Sequence, residues 1–131
     1  MSADVANMRS GPGKSFPLSW TVGKYMPLLK VGYKNGWYQV KDVDGTTHWI
    51  FNSLVTKRFK CVVVKVNKAS LRSGPGTSFS YAAYKYADKY FPFKRVNTKD
   101  SWFQVMDASG NKFWLHDSTV WRARKISTIG F

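Results

Sequence analysis

The side chains that could do covalent or metal chemistry are few in this chain. It has one cysteine, Cys61, two histidines, His48 and His116, and no glutamate. No Cys/His pair and no zinc-type histidine spacing occurs, so nucleophilic and zinc chemistry both lack parts. A carboxylate pair from Asp42 and Asp44 is conceivable, but aspartate beside a hairpin turn is common for conformational reasons. The sequence therefore predicts no enzyme, no metal site and no cofactor.

Binding chemistry is better represented, through aromatic and basic side chains. Aromatic residues make up 17% of the chain, and the formal net charge is +14. An exposed ring stacks on apolar or planar groups, and a neighbouring guanidinium can contact an anion. The candidate ligand-binding residues are Trp20, Trp37, Trp49 and Arg9, with Tyr84, Trp102, Trp114 and Arg72 further along the chain.

These candidates fall in two copies of one pattern. Met8-Arg-Ser-Gly-Pro-Gly13 and Leu71-Arg-Ser-Gly-Pro-Gly76 align with a shift of 63 residues, and later positions align with a shift of 65. The second copy therefore carries two extra residues, between Ala83 and Pro92. Such a match indicates one structural unit made twice, and a function common to both copies should use matching positions. Neither histidine is reproduced in the other copy.

Each copy has the sequence signals of a short β-meander. In the first copy the predicted strands are 27–33, 37–43 and 47–51, with Asn35-Gly36 and Asp44-Gly45 as turns and a helical turn at 52–54. In the second they are 92–98, 101–108 and 113–116. Five or so short strands in fewer than 65 residues indicate a small closed or half-closed barrel.

The repeated Gly-Pro-Gly motif predicts a type II turn. Pro12 presets φ at the second position, and Gly13 supplies the positive φ needed at the third. An irregular loop is expected to follow as far as about Lys24. Loops of that length tend to be functional.

Alternation along the strands divides the tryptophans from the core. If Val40 and Ile50 point into the barrel, Trp37 and Trp49 point outward beside the long loop, as do their second-copy equivalents. The alternative is that such an outward tryptophan packs under a loop or against the sister copy.

The other candidates also have structural alternatives. Trp20 and Tyr84 lie in the long loops and could line the same groove, although they do not align without the insertion. Arg9 and Arg72 could contact an anion at the groove. More often an arginine beside a turn braces it through hydrogen bonds to backbone carbonyls, which is the favoured interpretation here.

The order of these motifs, written twice, resembles the bacterial SH3 domain family. The motifs are Arg-Ser-Gly-Pro-Gly, an aromatic loop, Asn-Gly-Trp-Tyr-x-Val, Asp-Gly and x-Trp-Ile/Leu. The resemblance implies an all-β fold of two tandem SH3-like small β-barrels, at 1–57 and 60–121, with 122–131 as a C-terminal extension that could add a strand. Family members usually have Gly before the third-strand Trp. Here it is His48 or Phe113, which leaves pocket shape open.

The resemblance also implies a function, because bacterial SH3 domains are commonly attached to peptidoglycan hydrolases or exported. The expected function is a non-catalytic binding module of the cell envelope. Its partner would be a cell-wall peptide or glycan, or another anionic polymer. In SH3-like barrels Trp37 and Trp102 would sit where a ligand-facing aromatic is placed. The expected location is periplasmic or secreted, with a signal peptide missing and the first copy trimmed at its front.

The charge leaves other partners open. A basic surface with interleaved aromatics also suits nucleic acid, which would imply a cytoplasmic protein. A third hypothesis is a scaffold that binds a protein or its own second copy. No apolar run reaches the roughly 20 residues that span a bilayer. The basic tail from Trp121 is expected to supply an edge strand, at 126–131, that the first copy lacks.

Overall fold

The computed structural model describes residues 5–123 and the backbone of residues 128–130. The first copy, called the first repeat below, contains β1 (Val5–Arg9), β2 (Leu18–Gly23), β3 (Pro27–Lys34), β4 (Trp37–Lys41) and β5 (Thr47–Phe51). The second repeat contains β6 (Cys61–Val64), β7 (Lys68–Arg72), β8 (Tyr81–Asp88), β9 (Pro92–Lys99), β10 (Trp102–Met106), β11 (Lys112–His116) and β12 (Val120–Trp121). The tail adds β13 (Thr128–Gly130), and one-turn 3-10 helices lie at Asn52–Leu54 and Asp117–Thr119.

The strands form two antiparallel sheets with the same internal order. The first runs β13-β3-β4-β5-β1-β2 and the second β12-β6-β9-β10-β11-β7-β8. Each sheet encloses one hydrophobic core. The prediction of an all-β fold made of two tandem SH3-like barrels is therefore confirmed.

The predicted hairpin between β3 and β4 has the expected geometry. Asn35 and Gly36 have φ values of 51° and 86°. Two successive positive φ values define a type I′ turn, whose twist matches that of the flanking strands. Gly45 and Gly110 also have positive φ, in the next hairpin of each repeat.

The type II turn predicted at Gly-Pro-Gly is wrong. Gly13 is not among the positive-φ glycines of the described residues, and its N–H donates to the Gly11 carbonyl at 2.9 Å. This hydrogen bond spans three residues and makes a γ-turn centred on Pro12. Glycine is needed at Gly11 for a different reason, because a Cβ there would overlap the ring of Phe16. Gly74 and Phe79 repeat the arrangement.

The expected long irregular loop is largely a strand. β2 begins at Leu18 and pairs with β1, so that Met8 lies opposite Trp20 and Arg9 opposite Leu18. In the second repeat Arg72 lies opposite Tyr81, and the next paired residues are Ser70 and Tyr86. The two extra residues are therefore accommodated within β8.

Strand β6 is shared by the two cores. Val62 and Val64 pack in the second core, whereas Val63, between them, packs in the first. All three are buried because the strand has a repeat on each face. The chain is thus two barrels with one common wall.

Further contacts hold the repeats together. The Tyr90 hydroxyl donates to Asp44 at 2.7 Å, and the Tyr90 ring lies 5.7 Å from that of Trp20. The tail strand β13 pairs antiparallel with β3 of the first repeat. In the first repeat β13 lies beside β3 as β6 lies beside β9 in the second. Residues 126, 127 and 131 of the expected tail strand lie outside the described residues.

The described residues include no helix long and apolar enough to cross a membrane. Within the same part of the chain, no group of three or more His, Cys, Asp or Glu is placed to hold a metal ion.

Candidate functional site

The outer faces of β4 and β5 carry the first-repeat tryptophans, as the alternation predicts. Val40 and Ile50 are fully buried in the core, and the antiparallel register pairs Trp37 with Phe51. However, Trp37 is only 7% exposed. The Phe51 ring lies 5.5 Å from the Trp37 ring, edge to face. The expectation that Trp37 is open to a ligand is therefore wrong, since an apolar cross-strand neighbour covers it.

The second repeat has a cavity of about 230 Å³ at the matching position, which we call the Trp102 groove. Its lining residues are Lys68, Ser70, Arg72, Thr77, Trp102, His116 and Thr119. Trp102 is half-buried, and its ring meets the His116 ring at 5.3 Å and 89°. The structure thus brings Trp102 and Arg72 into one cavity, together with Lys68 and His116.

Arg72 does two things in this groove. Its Nη1 donates to the carbonyl oxygen of Phe79 at 3.1 Å, and its guanidinium carbon lies 4.2 Å from the centroid of the Tyr81 ring. Arg9 makes the corresponding bond to Phe16 at 2.9 Å. Both hydrogen bonds are those expected of an arginine that braces its turn through a backbone carbonyl. Arg72 differs from Arg9 in stacking on a tyrosine ring, and its buried Nε has no hydrogen-bond partner among the described residues.

The His116 ring is held by the 3-10 helix that follows β11. Its Nδ1 accepts the backbone N–H of Ser118 at 3.2 Å and lies 2.8 Å from the Ser118 hydroxyl oxygen. A neutral ring that accepts at Nδ1 carries its proton on Nε2. The groove therefore contains a lysine, an arginine and an imidazole N–H donor around one indole.

The first repeat has different residues at the equivalent positions. Val5 stands for Lys68, Asn7 for Ser70 and Phe51 for His116. The indole and the guanidinium are kept in both repeats. Lys14 stands for Thr77, so the first repeat also has a lysine at one of these positions, whereas the imidazole is present only in the second.

The remaining predicted residues lie outside the Trp102 groove. Trp49 pairs with Gln39 and Trp114 with Gln104, and both are half-buried. Trp114 does not line the cavity that contains Trp102.

The hypothesis that Trp20 and Tyr84 each line the groove of their own copy is wrong for Tyr84, which is not among the residues that line the Trp102 groove. Trp20 lies 5.9 Å from the His48 ring, and Tyr84 lies 6.1 Å from the Phe113 ring. Because His48 and Phe113 are equivalent, Trp20 and Tyr84 do occupy matching places. Tyr84, however, lines another cavity that shares no residue with the groove.

Comparison with known proteins agrees with the duplicated fold. The family model described as "Bacterial SH3 domain" matches residues 2–57 and again 65–122. The chain belongs to the bacterial SH3 domain family. It is also 26% identical, over an alignment 142 positions long, to "Putative N-acetylmuramoyl-L-alanine amidase YrvJ" of Bacillus subtilis (strain 168). That alignment covers 99% of the chain but only 25% of the relative, so the chain spans about a quarter of the relative's length.

One polar network in the first SH3 repeat was missed by sequence reasoning. His48, which is 3% exposed, lies with Nε2 at 2.7 Å from Asp42 and Nδ1 at 2.6 Å from the Ser19 hydroxyl. The other Asp42 oxygen accepts the backbone N–H groups of Asp44 and Thr46. The network ties β2 and β5 to the β4–β5 turn. The signal for it was a histidine at a core-facing position whose equivalent is phenylalanine.

Cys61 is a structural residue of the second SH3 repeat. Burial raises the pKa of its thiol to about 12, and the nearby Lys94 ammonium offsets this only in part. A thiol is a poor nucleophile until it ionises. Cys61 is therefore unsuited to reaction at neutral pH.

Proposed function

We propose that this chain is a non-catalytic binding module of the bacterial cell envelope, and that the Trp102 groove recognises anionic groups of the cell wall. The family supports a binding role, and the Bacillus relative, whose name describes a wall amidase, aligns along nearly the whole chain. The observation that carries the proposal is the groove itself. It combines an accessible indole with cationic side chains.

The groove suits a ligand that presents both an apolar or planar face and a carboxylate or phosphate. Trp102 supplies the stacking surface, and Arg72 and Lys68 supply charge. The net charge of +14 steers anionic polymers toward the surface. Wall stem peptides and envelope polymers carry such anions.

The repeats would contribute unequally. Trp37 is only 7% exposed and packs against Phe51, so the first repeat offers little ring surface at this position, and it has Val5 in place of Lys68 but Lys14 in place of Thr77. We therefore assign wall binding to the second repeat and a supporting role to the first. We do not propose that the two copies bind the wall through matching positions.

Co-sedimentation of the intact chain with purified, nuclease-treated sacculi tests the assignment. The informative variant carries Lys68→Val, Ser70→Asn and His116→Phe, which are the residues that the first repeat already accommodates. We expect at least a tenfold weaker apparent affinity, because a cation and a donor are lost at one site. Lys112→Thr, again the first-repeat residue, removes one charge away from the groove and should leave binding within about twofold.

Two results would contradict the proposal. One is that the parent binds sacculi and the triple variant binds them equally well. The other is a parent that binds oligonucleotides with a steep loss in salt and does not bind sacculi, which would assign the basic surface to nucleic acid.

A further inference from the structure

The second repeat has another cavity, of about 270 Å³, whose chemistry is opposite to that of the Trp102 groove. Its lining residues are Leu71, Tyr84, Tyr86, Ala87, Asp88, Phe91, Phe93, Asp107, Ser109, Asn111 and Phe113. Phe93 and Phe113 are buried beneath it, with their rings 6.2 Å apart. Tyr84, which is 62% exposed, and Phe91, which is 43% exposed, stand beside them. We call this the Tyr84 cavity.

The equivalent place in the first repeat is filled. Met26, which corresponds to Phe91, is only 2% exposed. Trp20 packs there between His48 and Tyr90 of the second repeat. The cavity therefore depends on features of the second repeat: β8 carries two extra residues, and among the described residues no aromatic ring of the first repeat packs against Tyr84.

The charge of the cavity is unusual for so basic a chain. No Lys or Arg is among its lining residues, whereas two aspartates are. Asp107 is occupied, since its oxygens accept the N–H groups of Ser109 and Asn111 and the side-chain amide of Asn111. The Asp88 carboxylate is exposed at the rim. Within the described residues it has no ion pair or hydrogen bond of its own.

From this arrangement we propose that the Tyr84 cavity binds a primary ammonium group carried on an alkyl chain, such as the side chain of lysine or of another diamino acid. Aromatic faces attract a cation through their quadrupole, and a carboxylate at the rim adds a charged acceptor. The apolar floor accommodates the alkyl chain. The volume is below that of a drug-sized pocket, which suits one side chain rather than an extended ligand. The proposed ammonium site does not rest on the proposal that the Trp102 groove binds the cell wall.

The test is a ¹H–¹⁵N NMR titration of the intact chain with three probes. N-acetyl-lysine methylamide presents the ammonium on a peptide unit, cadaverine presents it on a free diamine, and N-acetyl-norleucine methylamide lacks it. We expect saturable shifts at Tyr84, Phe91 and Asn111 with the amines, at least fivefold tighter than with norleucine. Asp88→Asn should weaken amine binding about threefold to fivefold, the upper range for an exposed ion pair. Asp100→Asn removes a carboxylate elsewhere on the same repeat and should change it less than twofold.

Tighter binding of the capped lysine would assign the site to a peptide, and tighter binding of cadaverine to a free polyamine; either supports the ammonium site. Equal binding of the norleucine probe would overturn the proposal, as would shifts outside the cavity or an Asp88→Asn variant that binds like the parent. Neutral glycan fragments that perturb the cavity while the amines do not would also overturn it. Sedimentation with sacculi can fail or succeed independently of every one of these outcomes.

Discussion

Replacing His48 by phenylalanine probes the buried polar network of the first repeat. The second repeat has Phe113 at this position, so the ring itself fits the fold. The variant loses the Nε2–H donor to Asp42 at 2.7 Å, in a place where both partners are nearly inaccessible, and the Nδ1 partner of the Ser19 hydroxyl. Leaving a buried acceptor short of a donor costs about 1–3 kcal/mol, and more when the acceptor is charged. Asp42 keeps two backbone N–H donors, and Phe gains apolar burial, so we expect about 2–3 kcal/mol of lost stability.

In a thermal unfolding experiment this loss corresponds to a melting temperature about 10 °C lower. The matched control is His116→Phe, which installs the first-repeat residue Phe51 at a half-exposed position and should change stability by about 0.5 kcal/mol or less. A rescue variant follows from the second repeat, where Asn111 donates to Asp107. Adding Thr46→Asn to His48→Phe should recover about 1 kcal/mol. A His48→Phe variant that melts within about 1 °C of the parent would refute the reasoning.

Three other predictions concern stability. Burial raises the pKa of the Cys61 thiol from 9.0 to about 12, so the stability that the neutral thiol contributes is present below pH 9 and is lost as the pH rises toward 12. Cys61→Val should therefore reduce the fall in urea midpoint between pH 8 and 10.5. An unchanged dependence of the midpoint on pH would contradict the pKa shift. Gly11→Ala should cost about 2 kcal/mol of stability because the added methyl overlaps Phe16, whereas Gly13→Ala should cost less than about 0.5 kcal/mol. Equal melting temperatures for the two variants would instead support a type II turn. Val63→Ala should cost about 2 kcal/mol and keep a single unfolding transition; separate transitions for the two repeats would argue against a shared wall.

Much of the fold was predictable because its signals are local. The Asn35-Gly36 turn, the alternation in β4 and β5, and the 3-10 helix after β5 each follow from a few neighbouring residues. The duplication then carried the same assignment to the second repeat. Tyr25 and Tyr90 show the limit of such reasoning. Both have positive φ, and the presence of a tyrosine in the sequence does not predict that conformation.

The candidate site was less predictable because accessibility depends on cross-strand neighbours. Trp37 and Trp102 occupy equivalent positions, but one faces Phe51 and the other His116. Likewise, Trp20 packs against Tyr90 of the other repeat, whereas within the part of the chain that the structure describes no first-repeat ring packs against Tyr84. Alternation identifies which face a side chain occupies. It does not reveal what covers that face.

The most direct test of the account follows the indole N–H signals of the ¹⁵N-labelled chain during titration with a soluble muropeptide that carries free carboxylates. The account predicts a saturable shift of the Trp102 indole, weakened by salt and by Arg72→Lys, while the Trp37 indole stays unchanged. A shift centred on Trp37, or no shift at Trp102 at concentrations that saturate binding, would contradict it.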